Sequence, residues 1–268
     1  MNQELQQPQD QIIVLINQQK NHPWSEIQMA HEPITHQKNK EFKEKYLSSC
    51  FDETYNLTNQ EIKEWWMLRV ELYPLYSHKD ENCVKRIKGL WYLLTESDLE
   101  EIRNQKWTEF GFQQADPTTD FRGGGIQSLD DIINFVSDYK DNMVKEMCKP
   151  QNDFYFAASS INITFFIKRY FHLQEQLDER DIKEIADRIA LKNFCRFLVR
   201  EDNFWKKLHQ LLLQDLFNEW MALKKRRPET TIMDYGPILE RVKQKTKRTF
   251  TIRLFGNLNQ LIEFYQSL

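Results

Sequence analysis

Residues 107–129 read Trp107-Thr-Glu-Phe-Gly-Phe-Gln-Gln-Ala-Asp-Pro-Thr-Thr-Asp-Phe-Arg-Gly-Gly-Gly-Ile-Gln-Ser-Leu129. The chain has only 7 glycines, and four of them, Gly111, Gly123, Gly124 and Gly125, fall in this stretch. A glycine-poor protein thus concentrates its backbone freedom at one place, where positive φ or close approach of another backbone becomes accessible. The residues on either side are helical in pattern. The spacing predicts a sixteen-residue ordered loop, 112–127, between two helices, longer than the roughly 2–8 residues usual in helical domains, and such a loop points to function.

Outward from the loop the pattern stays helical. Downstream, Ser128 reads as the cap of a long helix with Leu129, Ile132, Ile133, Val136, Tyr139, Met143 and Met147 on one face. Spacings of three and four place those side chains together. Phe154–Leu173 follows as a buried core helix, its apolar run interrupted by Ser159, Ser160, Asn162, Thr164, Lys168 and Arg169. Those interruptions exclude a membrane span. Three further helices are predicted over 181–200, 202–227 and 237–247, and a terminal one over 250–268. Upstream, Thr58-Asn59-Gln60-Glu61 is a capping box that opens a helix ended by Pro74, with Tyr73 as its last apolar position. Val84–Leu94 makes a short helix. Ser97-Asp98-Leu99-Glu100 reads as a second capping box, opening a helix to Phe110 with Gly111 just beyond its end.

No strand pattern or repeat appears. With 40% apolar residues in 268, a substantial core is available. We therefore expect an all-α fold, a single compact multi-helix domain over 51–268 preceded by a polar, Gln-rich tail or arm over 1–50. The tail holds the Ile12–Ile16 run and Trp24, which suit a docking contact.

The net charge of -3 argues against a nucleic-acid binder, and none is expected as partner. Charge is uneven, however. Between Lys224 and Arg253 ten Lys/Arg stand against Glu229, Asp234 and Glu240. This basic segment reads either as a solvated helix face or as a surface for an anionic membrane or acidic partner. The four cysteines, Cys50, Cys83, Cys148 and Cys195, lie far apart without a CxxC, so neither a disulfide framework nor a zinc site is expected. The six histidines form no metal-binding spacing, so no metal and no cofactor are expected. No basic region followed by a long apolar run opens the chain, so no secretory leader is expected and the compartment reads as cytoplasmic.

The triple glycine is not a phosphate cradle, because it neither follows a strand nor ends in Gly-Lys-Ser/Thr. The distinctive polar residues are Asp120 and Arg122. A guanidinium flanked by glycine on a long loop can be presented to phosphate oxygens of a partner, or it can clamp onto Asp120 or backbone and only shape the loop.

At this point the sequence resembles the ELMO domain, and within it the ELMO-domain-containing (ELMOD) family. The residues in register are Trp107, Gly111, Phe112, Gln113, Pro117, Thr119, Asp120, Phe121, Arg122, Gly123, Gly125, Leu129, Ile132 and Phe135. Weaker echoes are Ile161-Asn162-Ile163-Thr164, with Ser160 in place of a family glycine, and Trp220, Met233-Asp234-Tyr235 and Val242. The resemblance covers roughly residues 55–250. It implies an all-helical ELMO-type module with GTPase-activating activity toward an Arf/Arl-family small GTPase, the arginine at Arg122 being catalytic. Such a protein activates a partner enzyme and has no substrate of its own. Scaffold relatives that partner exchange factors lack an arginine at this place. The resemblance further implies that Gln113, Thr119, Asp120, Gly123 and Gly125 shape the loop or contact the GTPase, while Trp107, Phe112 and Phe121 anchor it. The alternative is a non-catalytic interaction module that docks a GTPase, a ciliary or cytoskeletal assembly, or a membrane complex.

Overall fold

Thr58 shows how the sequence starts its first helix. Its hydroxyl accepts from the Glu61 N–H at 3.2 Å while the Glu61 carboxylate accepts from the Thr58 N–H at 2.7 Å. Both orphan donors of the helix end are thereby satisfied. The same carboxylate takes Lys192 Nζ at 2.7 Å, which ties this helix to one far along the chain. The computed structural model describes residues 57–72, 74–173 and 188–268. The tail expected over 1–50, Tyr73 and the first residues of the helix expected from Asp181 lie outside them.

The helices are α1 Asn59–Glu71, α2 Glu81–Thr95, α3 Ile126–Tyr139, α4 Phe156–Tyr170, α5 Arg188–Arg200, α6 Phe204–Arg226, α7 Tyr235–Ile252 and α8 Leu258–Ser267. No strand occurs among the described residues, and the fold is all-α. They all belong to one compact unit. Helix α3 packs between α2 and α4, α6 lies on α4 and α7, α5 bridges α1 and α7, and α8 rests on α7. A single cluster of buried side chains runs through all of them, rich in aromatic rings such as Phe135, Phe156, Phe171, Phe194 and Phe250. Phe171 and Phe194 stack at 4.0 Å, with Phe250 edge-on to Phe171 at 5.0 Å. Offset and edge contacts of this kind add to plain area burial. No helix among the described residues is long and apolar enough to cross a membrane.

Four boundaries depart from the sequence reading. Ser97 does not open a helix. Glu96 ends α2 in the left-handed conformation at φ 58°, and the Ser97 hydroxyl pairs with that of Thr95 at 2.9 Å. The cap that forms is Asn104, whose Oδ1 accepts from the Lys106 N–H at 3.0 Å and opens the short 3-10 turn Gln105–Phe110.

Ser128 is not the cap of α3 either. The helix begins at Ile126 behind Gly125, and the Ile126 N–H is taken by the Pro74 carbonyl at 3.2 Å. The long helix then passes through one π turn, Lys140–Val144, before its last residues Lys145–Met147. Finally, the terminal helix is broken. Buried Asn193 donates to the carbonyls of Phe250 and Arg253 at 2.9 and 2.7 Å and accepts from the Phe255 N–H at 3.0 Å. It thus satisfies the backbone where the chain leaves α7 and turns toward α8.

Part of the basic segment is paired. Lys224 meets Asp153, Arg227 meets Asp234, Arg241 meets Glu219 and Lys245 meets Asp215. Asp153, Glu219 and Asp215 lie outside the run and offset three of its charges.

Candidate functional site

The glycine-bearing segment is ordered from inside outward. Trp107 is fully buried and its indole donates to the Ile102 carbonyl at 2.8 Å. Trp91, Trp107, Phe112 and Phe121 form an edge-to-face chain with successive centroids 4.9, 5.1 and 6.0 Å apart. Tyr76, from the connection between α1 and α2, closes on Phe121 at 5.2 Å. The aromatic residues expected to anchor the segment are therefore core residues of the domain.

Gly111 turns the chain at φ +82°, and its carbonyl accepts from the Ala158 N–H at 3.2 Å. That N–H is one of the orphan donors at the start of α4, which has no side-chain cap. A Cβ on Gly111 would stand 2.4 Å from the Phe156 nitrogen and 2.6 Å from the Tyr155 carbonyl carbon. Gly111→Ala combines a positive-φ penalty of about 1–2 kcal/mol with overpacking of about 1–3 kcal/mol. The expected outcome in urea unfolding is a loss of about 2–5 kcal/mol, the sum of those two penalties. Gly111→Asn, which relieves φ alone, should not recover it.

Beyond it the expected loop is partly helical. Residues Pro117–Arg122 form a 3-10 helix, capped by Asp116 through the Thr118 N–H at 3.0 Å and the Thr118 hydroxyl at 2.6 Å. Asp120 reaches back across the loop, where its Oδ2 accepts from the Gln113 N–H at 2.9 Å and its Oδ1 from the Thr119 hydroxyl at 3.3 Å. Burial raises the Asp120 pKa above the ordinary carboxylate value, partly opposed by those two donors. The Gln113 side chain is exposed and Thr119 half-buried.

Arg122 stands apart from this network. It is the last residue of the 3-10 helix and is exposed, and no hydrogen bond or ion pair holds its guanidinium among the described residues. The clamp onto Asp120 that the sequence leaves open does not form as a contact among the described residues: Asp120 accepts from Gln113 and Thr119, and Arg122 acts on it only through space. Gly123 follows Arg122 at the surface, and a Cβ there would lie 3.4 Å from the exposed ring of Phe165 on α4. Gly124 and Gly125 are buried. At Gly125, φ is +70°, and a Cβ would come within 2.7 Å of the Pro74 carbonyl oxygen. The neighbouring Leu75 is 73% exposed. The surface thus carries an unengaged cation and, beside the glycines that follow it, two bare apolar side chains.

The weaker sequence echoes are also placed. Thr164 on α4 donates to Asp131 Oδ2 at 2.6 Å, and Asp131 Oδ1 accepts from Gln127 and from the Trp205 indole, both at 2.8 Å. Trp220 on α6 donates to the Asn152 carbonyl at 2.7 Å, and Tyr235 donates to Ser159 at 3.0 Å.

These positions fall within the span of a family match. The model of the ELMO/CED-12 family matches residues 66–239. The chain belongs to the ELMO/CED-12 family. ELMO domain-containing protein C of Dictyostelium discoideum is 25% identical over 200 residues, 74% of this chain and 31% of that protein. ELMO domain-containing protein B of the same organism is 35% identical over 85 residues, 30% of each chain. Mouse ELMO domain-containing protein 2 is 30% identical over 93 residues, 33% of this chain and 32% of its own length. The chain thus spans about a third of the length of these relatives. No solved structure matches it.

Sequence reasoning overlooked Lys168 of the ELMO domain, treating it as an interruption of an apolar helix. The signal was present: Ser160, Thr164 and Lys168 repeat every four residues on a face otherwise made of Ala157, Ile161 and Phe171. Polar groups on a buried helix face need partners within the fold.

Proposed function

We propose that this ELMO domain is a GTPase-activating module for an Arf/Arl-family small GTPase, supplying Arg122 to the phosphoryl oxygens during GTP hydrolysis. Family membership supports the class, and the register of the arginine motif supports the residue. The observation that carries the reading is the state of Arg122. It is exposed and tied to nothing among the described residues, at the end of a segment whose other polar side chains are largely engaged and whose rings are buried. A rigid base with one free guanidinium is what an arginine supplied in trans requires, since the transition-state charge is met without reorganisation of the donor. The test is single-turnover GTP hydrolysis on a panel of Arf and Arl GTPases, where at least one member should be accelerated by a factor of about 10³ or more.

A second reading, docking of the GTPase without turnover, is favoured by the exposed Phe165 and Leu75 beside the glycines. It predicts a stable complex and no acceleration on any panel member. Under the first reading the same two side chains set affinity. Phe165→Ala is expected to raise the half-saturating concentration about tenfold, as loss of an apolar anchor does, while the maximal rate stays within about twofold. A fall in maximal rate with unchanged half-saturation would remove Phe165 from the interface.

A further inference from the structure

Lys168 lies inside α4, with 6% of its surface exposed. Its ammonium does not pair with a carboxylate at contact distance among the described residues. It donates instead to two backbone carbonyls, Leu72 at 2.8 Å and Gly124 at 3.0 Å. Leu72 is the residue that caps the C-terminus of α1, and Gly124 is the second residue after Arg122. One buried cation therefore joins the end of α1 to the exit of the arginine segment. Two further backbone bonds close the same junction: the Gly125 N–H to the Phe121 carbonyl at 2.9 Å, and the Ile126 N–H to the Pro74 carbonyl at 3.2 Å.

We infer that Lys168 is the positioning residue of the arginine segment, holding the Gly124 carbonyl and so setting the direction in which Arg122 leaves the domain. The catalytic part of this inference rests on the reading given under Proposed function.

Three observations support the assignment. The first is the choice of residue. A lysine buried among apolar side chains is costly, and burial lowers its pKa from 10.5 to about 8. A purely packing role at this position would be met by methionine without that cost. The second is reach. The carbonyls of Leu72 and Gly124 converge on one ammonium at the base of the segment, and a four-carbon stem with a compact head that carries three donors bridges them. The third is the space around the glycines. A Cβ on Gly124 would fall 1.6 Å from the Ser128 hydroxyl, and a Cβ on Gly125 would fall 3.7 Å from Lys168 Nζ. The glycines let this stretch pack against Ser128 and the Pro74 carbonyl, and that packing sets the Gly124 carbonyl within reach of Lys168. Asp131 on α3 is the carboxylate that acts on it, and Asp131 is itself engaged by Gln127, Thr164 and Trp205.

The arrangement divides labour. Trp107, Phe112 and Phe121 hold the segment into the core, and Asp116 and Asp120 hold its internal turns. None of these side chains fixes the residues after Arg122. Among the described residues, Lys168 is the side chain that does so. A misplacement of about 1 Å at a reacting group can cost about a hundredfold in rate, so a group that governs direction has leverage without touching the partner.

The experiment is residue-resolved hydrogen exchange on the full chain, followed by single-turnover kinetics, with Lys168→Met. Lys168→Gln, which keeps a neutral donor, is measured alongside. The amides of Gly125 and Ile126 should exchange about tenfold or more faster in Lys168→Met, while core amides of α6 such as Leu212 and Leu213 change by less than about threefold. In Lys168→Gln the acceleration should be intermediate. On the responsive GTPase, the maximal rate should fall about tenfold with the half-saturating concentration unchanged, as misdirection of a transition-state contact requires. In an Arg122→Ala background Lys168→Met should cause no further loss, because a residue acting only through Arg122 is silent once Arg122 is gone. Unchanged exchange at Gly125 and Ile126 would overturn the inference whatever the GTPase data show. Equal acceleration at Leu212 and Leu213 would reduce Lys168 to a general stability role and overturn it too. Local acceleration with full activity would refute the link to Arg122. Local acceleration in a protein that activates no GTPase would leave the clamp standing and defeat the catalytic reading.

Discussion

Arg122→Lys is expected to abolish stimulated GTP hydrolysis, lowering the maximal single-turnover rate by a factor of about 10³ while leaving the fold intact. The guanidinium makes no hydrogen bond or ion pair among the described residues, and lysine keeps the positive charge that acts on Asp120, so the native state loses little. Thermal unfolding should therefore coincide with that of the wild type. Lysine keeps the charge but loses the planar fork that meets two phosphoryl oxygens together, so retention of charge should not rescue the rate. Binding should change much less than turnover, since the contact is worth most when charge develops on the transferring group. Parallel measurement of the maximal rate, the half-saturating concentration and the melting curve separates these effects. Stimulation that survives Arg122→Lys would mean that the domain works by ordering the GTPase's own residues, and Arg122 would lose its assigned role.

The second large effect concerns stability. Arg86 on α2 and Asp130 on α3 pair at 3.3 Å with side chains only 4% and 5% exposed. Neither is fully satisfied, since Arg86 Nη1 and Asp130 Oδ2 find no hydrogen-bond partner among the described residues. Burial pushes the Asp130 carboxyl from 3.8 up to about 7, against the opposing pull of Arg86. Arg86→Met leaves that carboxylate buried without its cation, an arrangement that typically costs about 3–5 kcal/mol. The double variant Arg86→Met/Asp130→Asn removes the orphaned charge and should recover most of the loss.

The pH dependence follows from the sign of the shift. The folded-state pKa of Asp130 is raised, so the folded protein holds this proton more tightly than the unfolded chain. Its contribution to stability is full below the unfolded value and is lost as pH rises through the folded value. The stability difference between wild type and Asp130→Asn should therefore move in favour of Asn between about pH 5 and about pH 8. In Arg86→Met the pull of the guanidinium is gone, the carboxyl rises further, and the defect should shrink on acidification. Urea unfolding of the wild type and variants at both pH values measures all of this. A pH-independent defect in Arg86→Met would show that lost packing, not the orphaned charge, dominates.

The helical fold was legible because its signals are local. The Thr58–Glu61 capping box formed as read, since both partners lie three residues apart on one helix start. The apolar spacing of α3 and α4 likewise placed their buried faces, because a period of 3.6 residues belongs to the helix and not to its surroundings. The same locality explains the misreadings. Ser97 and Ser128 have the right type and spacing for caps, but the hydroxyl of one is taken by Thr95 and the other sits inside a turn whose N–H groups are met by Pro74 and Phe121. The single terminal helix expected over 250–268 breaks because Asn193, nearly sixty residues earlier, offers its backbone better partners.

The site divides in the same way. By itself the sequence determined that this is an all-helical chain, that its glycines gather in one segment, and that the segment carries the arginine motif of the ELMO domain. Those properties lie in composition, period and fixed spacing. Only the tertiary structure decided that Asp120 accepts from Gln113 and Thr119 while Arg122 holds no hydrogen bond or ion pair among the described residues. It alone decided that Phe165 and Leu75 flank the glycines after the arginine, and that Lys168, 44 residues beyond Gly124, grips the Gly124 carbonyl. The physical reason is that a hydrogen-bond donor in the core takes whichever acceptor the packed helices bring within about 3 Å, and that choice depends on the whole fold and not on the local sequence.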